Sequence, residues 1–403
     1  MSKPSKHFST RKIAVVTTSR ADYGHLYWTL KELENRSGVD LQLIALGAHF
    51  SPTFGSTFTE IEADEFTINE RVECLISSDT DIGMAKTIGV ATIGLADILG
   101  RMRPDILLLI ADRYEMLAPA SVALALRIPI AHIEGGDVSE GAIDDAVRNA
   151  LTKMSHLHFT TNENSRRRVL AMGEEAWRVH LVGSPSLDNL RRRKLFSREA
   201  VETDLGLDFN QKTVVVAYHP VTIQRDPTTE ADTVFAALEQ VSGQIVFCYP
   251  NSDAGSHQLI ERAKVFCQKR PNAHLFVNLN HLKYWSLLKY ADLLLGNSSS
   301  GIMETPSLAL PTVNIGMRQQ GREQARNILD AAPDAGAIMR AIEKGLSADF
   351  RESLVGMTNP YGDGHASEKI AEILTSITLG DELLIKRAVP LEDSTGAQAS
   401  RLH

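Results

Sequence analysis

The sequence predicts an α/β protein made of two Rossmann-like, doubly wound domains with a cleft between them. Three observations predict this class. The chain has 403 residues, which is more than one ordinary core organises. Short apolar runs alternate with helical patterns in both halves, as is typical of parallel sheets covered by helices. A polar segment at residues 183–212 separates the two series and is interpreted as the interdomain connection.

Composition restricts the kinds of partner. The chain is 43% hydrophobic and 23% charged, values typical of globular domains. Its net charge of −8 disfavours a nucleic-acid surface, which requires a basic stripe. The cysteines Cys74, Cys248 and Cys267 have no metal-ligand spacing and fit a reducing compartment. Neither a signal peptide nor a membrane span is predicted. We therefore expect a cytoplasmic protein with no nucleic-acid, membrane or metal partner.

The first domain is predicted at residues 11–188, after a disordered lead at residues 1–10. Strands are expected at 12–18, 41–46, 105–111, 128–133, 157–161 and 178–182. Helices are expected at 25–33, 83–101 and 117–126, from residue 144, and around residues 166–168. Residues 51–80 give no clear pattern apart from a possible strand at 72–76.

The second domain is predicted at residues 189–378. Its strands are expected at 213–218, 244–249, 273–277, 291–295 and 312–315. A helix at 366–377 closes the folded part and is expected to pack back on the first domain. Residues 379–403 form a tail, which we expect to be a mobile extension.

An acidic connection follows the predicted strand at 128–133. It carries Glu134, Asp137, Glu140, Asp144 and Asp145. In an open parallel sheet, ligands bind beyond the carboxyl ends of the strands. Glu134 and Asp144, together with His132 on the strand, are therefore candidate site residues. The alternatives are acids that only cap a helix and a histidine that is satisfied within the core.

A Gly/Ser-rich turn follows the predicted strand at 291–295 and reads GNSSSG, from Gly296 to Gly301. Successive backbone N–H groups in such a turn form a phosphate cradle, and a positive helix end would strengthen it. The alternative is a turn that binds nothing. The segment lacks the lysine of a P-loop, and the chain has no GxGxxG fingerprint, so a nicotinamide cofactor is not expected.

Polar residues follow other predicted strands as well. They are Arg20, Asp112, Arg113, His219, Arg318 and Arg322. An arginine fork grips a diphosphate or fixes a domain interface, and a histidine donates to phosphate or transfers a proton. The cleft is therefore predicted to be rich in carboxylates on its N-terminal side and to bind phosphate on its C-terminal side. A nucleotide sugar fits both sides, but these residues do not distinguish sugar transfer from sugar elimination.

Nine motifs together carry a resemblance to one family. They are TSRADYG, LGAHF, ADRYE, HIEGGDVSEGAIDDAVRNALTK, YHPVT, YPNSDAGS, GNSSSGIMETP, NIGMRQQGRE and YGDG. Over residues 12–375 the chain resembles the hydrolysing UDP-N-acetylglucosamine (UDP-GlcNAc) 2-epimerases. The resemblance implies a fold of the GT-B type and conversion of UDP-GlcNAc and water to UDP and N-acetylmannosamine, for sialic acid-type sugars. It also implies no cofactor, and a homodimer or homotetramer.

The resemblance also implies roles for individual residues. The family's reaction is anti elimination of UDP to a 2-acetamidoglucal, followed by syn hydration that inverts C2. Acid–base catalysis is assigned to Asp112, Glu134 and Asp144, without identifying the base at C2. The departing diphosphate is assisted by His219, Arg113, Arg20 and Arg318. Contacts with UDP or the sugar are assigned to Asn251, Ser298, Ser299, Glu304 and His132. Because carboxylates are packed together, the pKa of at least one is expected to be raised.

Three alternatives stay open at this point. The same reaction on UDP-N,N′-diacetylbacillosamine, a 2,4-diacetamido-6-deoxy sugar nucleotide, would serve legionaminic acid synthesis. A retaining glycosyltransferase of the same fold would require an acceptor. A UDP-sugar sensor would bind the nucleotide without releasing UDP.

Overall fold

The structure, a computed structural model, describes residues 10–52, 55–76, 80–140, 143–221, 230–249, 256–277 and 279–389. It contains two parallel sheets, one of seven strands and one of six, with helices in the connections. The predicted class of two doubly wound α/β units is confirmed. The limits of the two domains stay a prediction.

The first sheet has the order β3-β2-β1-β4-β5-β6-β7, and every neighbouring pair is parallel. Its strands are β1 Arg11–Thr17, β2 Val39–Leu46, β3 Ile68–Val72, β4 Ile106–Ile110, β5 Ile130–Ile133, β6 Leu157–Thr160 and β7 Val179–Leu181. Its helices are α1 Arg20–Glu34, α2 Phe58–Ala63, α3 Asp81–Met102, α4 Leu117–Leu126, α5 Asp144–Met154 and α6 Glu163–Ala171. The strand order reverses between β1 and β4, which is where ligands bind in such sheets.

The second sheet has the order β10-β9-β8-β11-β12-β13 and is also parallel throughout. It follows two helices, α7 Ser186–Arg192 and α8 Arg198–Leu205. Its strands are β8 Thr213–Ala217, β9 Gln244–Tyr249, β10 Ala273–Val277, β11 Leu293–Gly296, β12 Thr312–Ile315 and β13 Ile328–Ala331. Its helices are α9 Ala231–Gln240, α10 Ser256–Lys269, α11 His281–Tyr290, α12 Ser300–Met303, α13 Ala335–Leu346 and α14 Ala348–Ser353.

The chain ends its described part against the first sheet. Helix α15, Ala366–Ser376, packs on α1, and Ile370 and Leu374 belong to the core of the first sheet. A short helix, α16 Asp381–Leu384, follows, and the buried Arg178 side chain donates to the Leu383 carbonyl at 2.7 Å. This corrects the expectation of a mobile tail for residues 381–389. Residues 390–403 lie outside the described part of the chain.

Several elements differ from the prediction. Helix α1 begins at Arg20 instead of His25, because Ser19 and Asp22 form a reciprocal cap that extends the helix towards its N-terminus. Strand β3 lies at residues 68–72, earlier than expected. Strand β13 was not predicted. Both missed strands are sheet edges, where the apolar signal is weak because one side meets solvent.

Helix α3 is long and apolar enough to cross a membrane by length and composition, with a mean hydropathy of 1.5 over 18 residues. Within the fold it has one buried face, formed by Thr87, Ala91, Leu95 and Leu99 at helical spacing. That face packs against α4 and contributes to the core of the first sheet, while 28% of the 18-residue window is buried in total.

Candidate active site

Two adjacent strands of the first sheet end in sharply turned backbone. Ala111 follows β4 with a φ of 58°, and Glu134 follows β5 with a φ of 68°. A residue other than glycine in this region costs about 1–3 kcal/mol, and such strain clusters at functional sites. Gly136 turns the chain again with a φ of 81°, where a Cβ would lie 2.3 Å from the Ser165 carbonyl oxygen. The turns bring Asp112 and Glu134 to the same edge of the sheet.

Glu134 is buried and contacts a histidine that the sequence analysis did not select. Nδ1 of His25, on α1, lies 3.1 Å from Oε1 of Glu134. Nε2 of the same ring lies 3.9 Å from Oε1 of Glu304, which follows α12 of the second sheet. Burial opposes the charge on His25, but the surrounding carboxylates prevail and raise its pKa to about 9. Burial opposes the charge on Glu134 as well, and there the imidazolium prevails and lowers the pKa of the carboxyl.

A buried arginine joins Asp112 to the loop between β5 and α5. Arg148, on α5, is 1% exposed and forms an ion pair with Asp112. It also donates to the Asp137 carbonyl at 3.0 Å and to Oγ of Ser139 at 3.2 Å. Arg322, which follows β12, donates to the same Ser139 Oγ at 3.2 Å. Two arginines from opposite sides of the cleft therefore fix this loop.

Asp137 is the carboxyl in this loop whose pKa is raised, chiefly because it is buried. Its Oδ1 accepts hydrogen bonds from the hydroxyls of Thr161 and Ser165. Its Oδ2 is buried and has no hydrogen-bond partner among the described residues. The sequence analysis expected one raised carboxyl pKa in the cluster. The structure assigns it to Asp137, whereas the pKa of Glu134 is lowered.

His132 lies in the core of the first sheet. The ring is fully buried, with Nε2 2.8 Å from the Ala111 carbonyl and Nδ1 3.4 Å from Oγ1 of Thr152. Because a carbonyl only accepts, Nε2 carries the proton, and burial lowers the pKa of the ring to about 4. This geometry fits the alternative of a core histidine and corrects the expectation of a substrate contact. The ring instead supports the turn that carries Asp112.

Three other predicted residues lie around this edge. Arg113 donates from Nε and Nη2 to the buried Glu115 carboxylate, at 3.2 and 2.9 Å. Arg20 is the first residue of α1, and burial lowers its pKa although Glu60 opposes that shift. Asp144 is half-buried and begins α5.

On the C-terminal side, one asparagine holds three turns together. Asn297 accepts from the His219 backbone N–H at 2.7 Å and donates to the His219 carbonyl at 2.9 Å. Its own carbonyl accepts from Nη1 of Arg318 and Nε2 of Gln319, both at 2.9 Å. The turns that follow β8, β11 and β12 therefore meet at Asn297. His219 and Arg318 are brought together as predicted.

The turn after β11 requires glycine at its first position. Gly296 has a φ of 147°, and a Cβ would lie 2.1 Å from the Ala217 carbonyl oxygen. Ser298 and Ser299 follow and are half-buried. Helix α12 has only four residues, so its dipole is small and the expected contribution of a positive helix end is not supported. Any phosphate here would depend on the N–H groups and hydroxyls of the turn.

Glu304 is 5% exposed, and its Oε2 accepts a hydrogen bond from Nε1 of Trp285 at 3.1 Å. Asn251, the remaining predicted UDP contact, lies outside the described residues. In the described part of the chain, no three His, Cys, Asp or Glu side chains are grouped so that they could hold a metal ion.

The segment after β12 packs against the first sheet's loops. Arg322 Nε donates to the Val138 carbonyl at 2.6 Å, and Arg168 on α6 donates to the Gly321 carbonyl at 3.0 Å. The Glu323 carboxylate accepts a hydrogen bond from the Asn164 side chain. These contacts join the loops of the first sheet, beside the carboxylate edge, to the segment after β12 of the second unit.

The sequence analysis did not select His25, Arg148 or Asn297. For two of them, the spacing from an acidic residue on the same helix could have indicated a place near the site. His25 lies three residues after Asp22 and so shares its helix face, and Arg148 lies four residues after Asp144. Asn297 is part of the GNSSSG run, but nothing in that run indicates that its side chain would hold the backbone of His219.

Two doubly wound units, a carboxylate-rich edge and an opposing Gly/Ser turn define the class of GT-B-type enzymes that act on nucleotide sugars. The family model described as UDP-N-acetylglucosamine 2-epimerase matches residues 31–375. The chain belongs to this family.

Two curated relatives show the extent of the match. The chain is 36% identical to the GDP/UDP-N,N′-diacetylbacillosamine 2-epimerase (hydrolyzing) of Campylobacter jejuni, over 86% of this chain and 90% of that protein. It is 35% identical to the UDP-N,N′-diacetylbacillosamine 2-epimerase (hydrolyzing) of Legionella pneumophila, over 93% of this chain and 98% of that protein. A crystal structure of UDP-GlcNAc 2-epimerase from Neisseria meningitidis bound to UDP-GlcNAc superposes with a TM-score of 0.77 at 18% identity, covering 91% of this chain and 100% of that one.

Proposed function

We propose that this enzyme releases UDP from a UDP-linked 2-acetamido sugar and inverts C2, with Glu134 as the base that removes the C2 proton. The observation that carries the proposal is the environment of Glu134. It is a buried carboxylate kept ionised by His25, and it lies at the edge that faces the turns around Asn297. A base must be unprotonated at the working pH, and a lowered pKa ensures this.

The proposed chemistry explains why a carboxylate suffices. The C2 proton is weakly acidic, so the bond between C1 and the diphosphate oxygen breaks ahead of proton transfer and oxocarbenium character at C1 acidifies the C2 proton. Glu134 takes that proton, which gives UDP and a 2-acetamidoglucal. A proton then returns to C2 on the opposite face, while water adds to C1 on that same face.

Asp112 and Asp144 are proposed as the groups that return the proton, directly or through water. Arg148 fixes the carboxylate of Asp112, and Asp144 starts the helix that carries this arginine. Each positioned proton transfer contributes about 10²–10⁴-fold to a rate. Which of the two carboxyls donates follows from the variants described in the Discussion.

The leaving UDP is proposed to lie on the C-terminal side. His219, Arg318 and Arg20 would stabilise the charge that develops on the diphosphate, and Arg113 would join them from its pair with Glu115. The turn at Ser298 and Ser299 offers N–H and O–H donors for a phosphate. Glu304 is proposed to accept from the ribose hydroxyls, and Asn251 to contact the nucleotide.

For the sugar we propose UDP-N,N′-diacetylbacillosamine as the preferred substrate, with UDP-GlcNAc second. This reverses the order expected from the sequence. The support is the pair of relatives at 35–36% identity, both of which carry the diacetylbacillosamine name. The product would be the corresponding 2-epimeric diacetamido sugar, and the reaction would take place in the cytoplasm, where UDP-sugars are made.

The test is incubation of the enzyme in D₂O with each UDP-sugar, without acceptor or added metal, followed by NMR. We expect UDP and a free sugar that is epimeric and deuterated at C2, with the higher kcat/KM for the diacetylated substrate. UDP release without deuterium at C2 would contradict the elimination. No release from either substrate would contradict the whole proposal and favour a transferase or a sensor.

We also propose that two copies associate through α3. Its exposed face carries Ile82, Val90 and Ile93, at 63%, 41% and 75% exposure. Lys86 and Asp97 lie on the same exposed face, so an antiparallel crossing of two copies sets each lysine against the partner's aspartate. Sedimentation should show a dimer that Ile93→Glu converts to a monomer. Val355→Glu, at a position that is 77% exposed, is the matched control and should leave the mass unchanged.

A further inference from the structure

We propose that His25 is a positioning residue that bridges Glu134 and Glu304 as an imidazolium and so couples closure of the cleft to the charge of the catalytic base. The proposal rests on the function inferred above for Glu134. It concerns a residue that no sequence motif singled out.

The positions of the two ring nitrogens favour the cation. Nδ1 lies 3.1 Å from Glu134 Oε1, and Nε2 lies 3.9 Å from Glu304 Oε1. Both Glu134 and Glu304 are buried. Nδ1 lies within hydrogen-bond distance of Glu134, whereas the distance from Nε2 to Glu304 is that of an ion pair and is too long for a hydrogen bond. An imidazolium is attracted by both carboxylates through its charge, which a neutral ring lacks. A ring placed between two buried carboxylates is therefore stabilised as the cation.

The two carboxylates are each fixed by other contacts. Glu134 is held in the left-handed region of φ at the end of β5, and Glu304 is oriented by the indole N–H of Trp285. The charged and titratable groups around the ring and its partners are Glu134, Glu304, Asp22 and His281, together with Arg20 and Arg193 near His281 and Arg322 near Glu134. Burial lowers the pKa of His281 to about 3, so His281 is neutral. His25 lies within ion-pair distance of both carboxylates, and it lowers the pKa of Glu134 more than Arg322 does.

Glu134 and Glu304 belong to different sheets, so the bridge also spans the cleft. Without this cation, the effect of burial, which raises the pKa of Glu134, is no longer offset by His25. Loss of the charge on His25 should therefore raise the pKa of Glu134. It should also weaken the contact between the two sides of the cleft, because the ion pair with Glu304 is lost. A bridging cation makes the base available in the closed state, where the sugar is enclosed.

The first experiment observes the ring directly and does not depend on turnover. NMR of protein labelled at histidine with ¹³C and ¹⁵N, with His25 assigned from the spectrum of His25→Gln, gives its titration with pH. We expect His25 to stay protonated at pH 8, and to titrate at lower pH in both Glu134→Gln and Glu304→Gln. A wild-type ring that titrates near the ordinary value of about 6.5, or one that is insensitive to either substitution, overturns the bridge.

The second experiment uses the pH profile of kcat/KM on the active UDP-sugar. His25→Gln should move the acid limb upward by about one pH unit or more, because an opposite charge shifts a carboxyl pKa by about 1–3 units. His25→Lys, which keeps a cation, should return most of that shift. The matched control is His274→Gln on β10, which should not move the limb.

The second experiment distinguishes an ion-pair bridge formed by His25 from a purely structural role of this residue. A structural role for His25 predicts a lower rate at every pH with no movement of the acid limb, and that result would contradict the proposal. If no UDP-sugar is turned over, the proposed function fails, whereas the NMR titration still decides whether His25 bridges the two carboxylates.

Discussion

Two carboxylates on the N-terminal side of the cleft, Asp112 and Glu134, are each paired with a cation, whereas on the C-terminal side the backbone of His219 is held by the neutral amide of Asn297. Arg148 pairs with Asp112, and His25 pairs with Glu134. Across the cleft, the side chain of Asn297 holds both backbone groups of His219. Ion pairs therefore fix Asp112 and Glu134 on the N-terminal side, and amide hydrogen bonds fix the backbone of His219 on the C-terminal side.

The difference follows from what each side has to bind. A buried carboxylate that acts as a base needs a cation to stay ionised, because burial alone would protonate it. A site for a diphosphate needs N–H donors and cations that can approach the anion. Neutral amides fix the turns without competing for the anion. The comparison predicts that substitutions on the N-terminal side change turnover, while those on the C-terminal side change nucleotide affinity.

The largest effect is expected from Glu134→Gln. The amide keeps the shape of the side chain but cannot accept the C2 proton, so kcat should fall by about 10²–10⁴-fold. UDP affinity, measured by calorimetry, should change by less than threefold. Asp112→Asn and Asp144→Asn should reduce kcat by a similar order, and the one that still exchanges the C2 proton for deuterium identifies the group that acts after the base.

The control for that series is Glu140→Gln, an exposed carboxylate on the same connection. Its kcat should stay within threefold of the wild type. The proposed role of Glu134 as the base is contradicted if Glu134→Gln keeps full turnover. It is also contradicted if Glu134→Gln loses UDP affinity while Glu140→Gln does not.

An intermediate effect is expected from Asn297→Ala. The substitution removes two hydrogen bonds to the backbone of His219, each worth about 0.5–1.5 kcal/mol. UDP affinity should fall about tenfold, with kcat at saturating substrate within about threefold, since roughly 1.4 kcal/mol corresponds to tenfold in binding. Asn272→Ala, whose amide donates to the Gly243 carbonyl away from the cleft, is the matched control. A drop in kcat without a loss of affinity would contradict the division between the two sides.

Sequence patterns predicted the elements with strong local signals. Strand β4 was predicted because Ile106–Ile110 is an unbroken apolar run, and α4 was predicted with the limits that the structure shows. The edge strands β3 and β13 were not predicted at their positions, since INERV and ILDA alternate or mix polar residues. These segments become strands because each pairs with one neighbouring strand, and the local sequence does not show that pairing.

The site shows the same division between local and distant signals. Glu134, Asp112 and the turn at Gly296 were found because they follow strands directly. The pair of His25 and Glu134 spans 109 positions in sequence, and that of Arg148 and Asp112 spans 36. Such partners depend on strand order and crossover geometry, so no motif shows them. For the same reason the lowered pKa of Glu134 could not be predicted, although crowding of carboxylates could.

The smallest functional effect is expected from Lys386→Met, far from both sides of the cleft. Lys386 donates to the buried Glu174 carboxylate at 2.8 Å, beside Lys153 at 2.6 Å and His158 at 3.1 Å. Burial opposes the charge on Glu174, yet these donors lower its pKa to about 2. Because that pKa is below the unfolded value, the stabilisation is present above about pH 4.5 and is lost as the pH falls towards 2.

Losing one of the donors to Glu174 should cost about 1–3 kcal/mol of unfolding free energy at pH 7. Acid unfolding should then begin at a higher pH, because the pKa of Glu174 moves back towards its unfolded value. Thermal and acid unfolding measure this, while kcat and UDP affinity should stay at wild-type values. Lys264→Met, which removes an exposed partner of Glu261, is the control and should change neither. A loss of turnover at unchanged stability would show that residues on this face contribute to catalysis. That result would contradict the expectation that only charges beside the cleft affect the reaction.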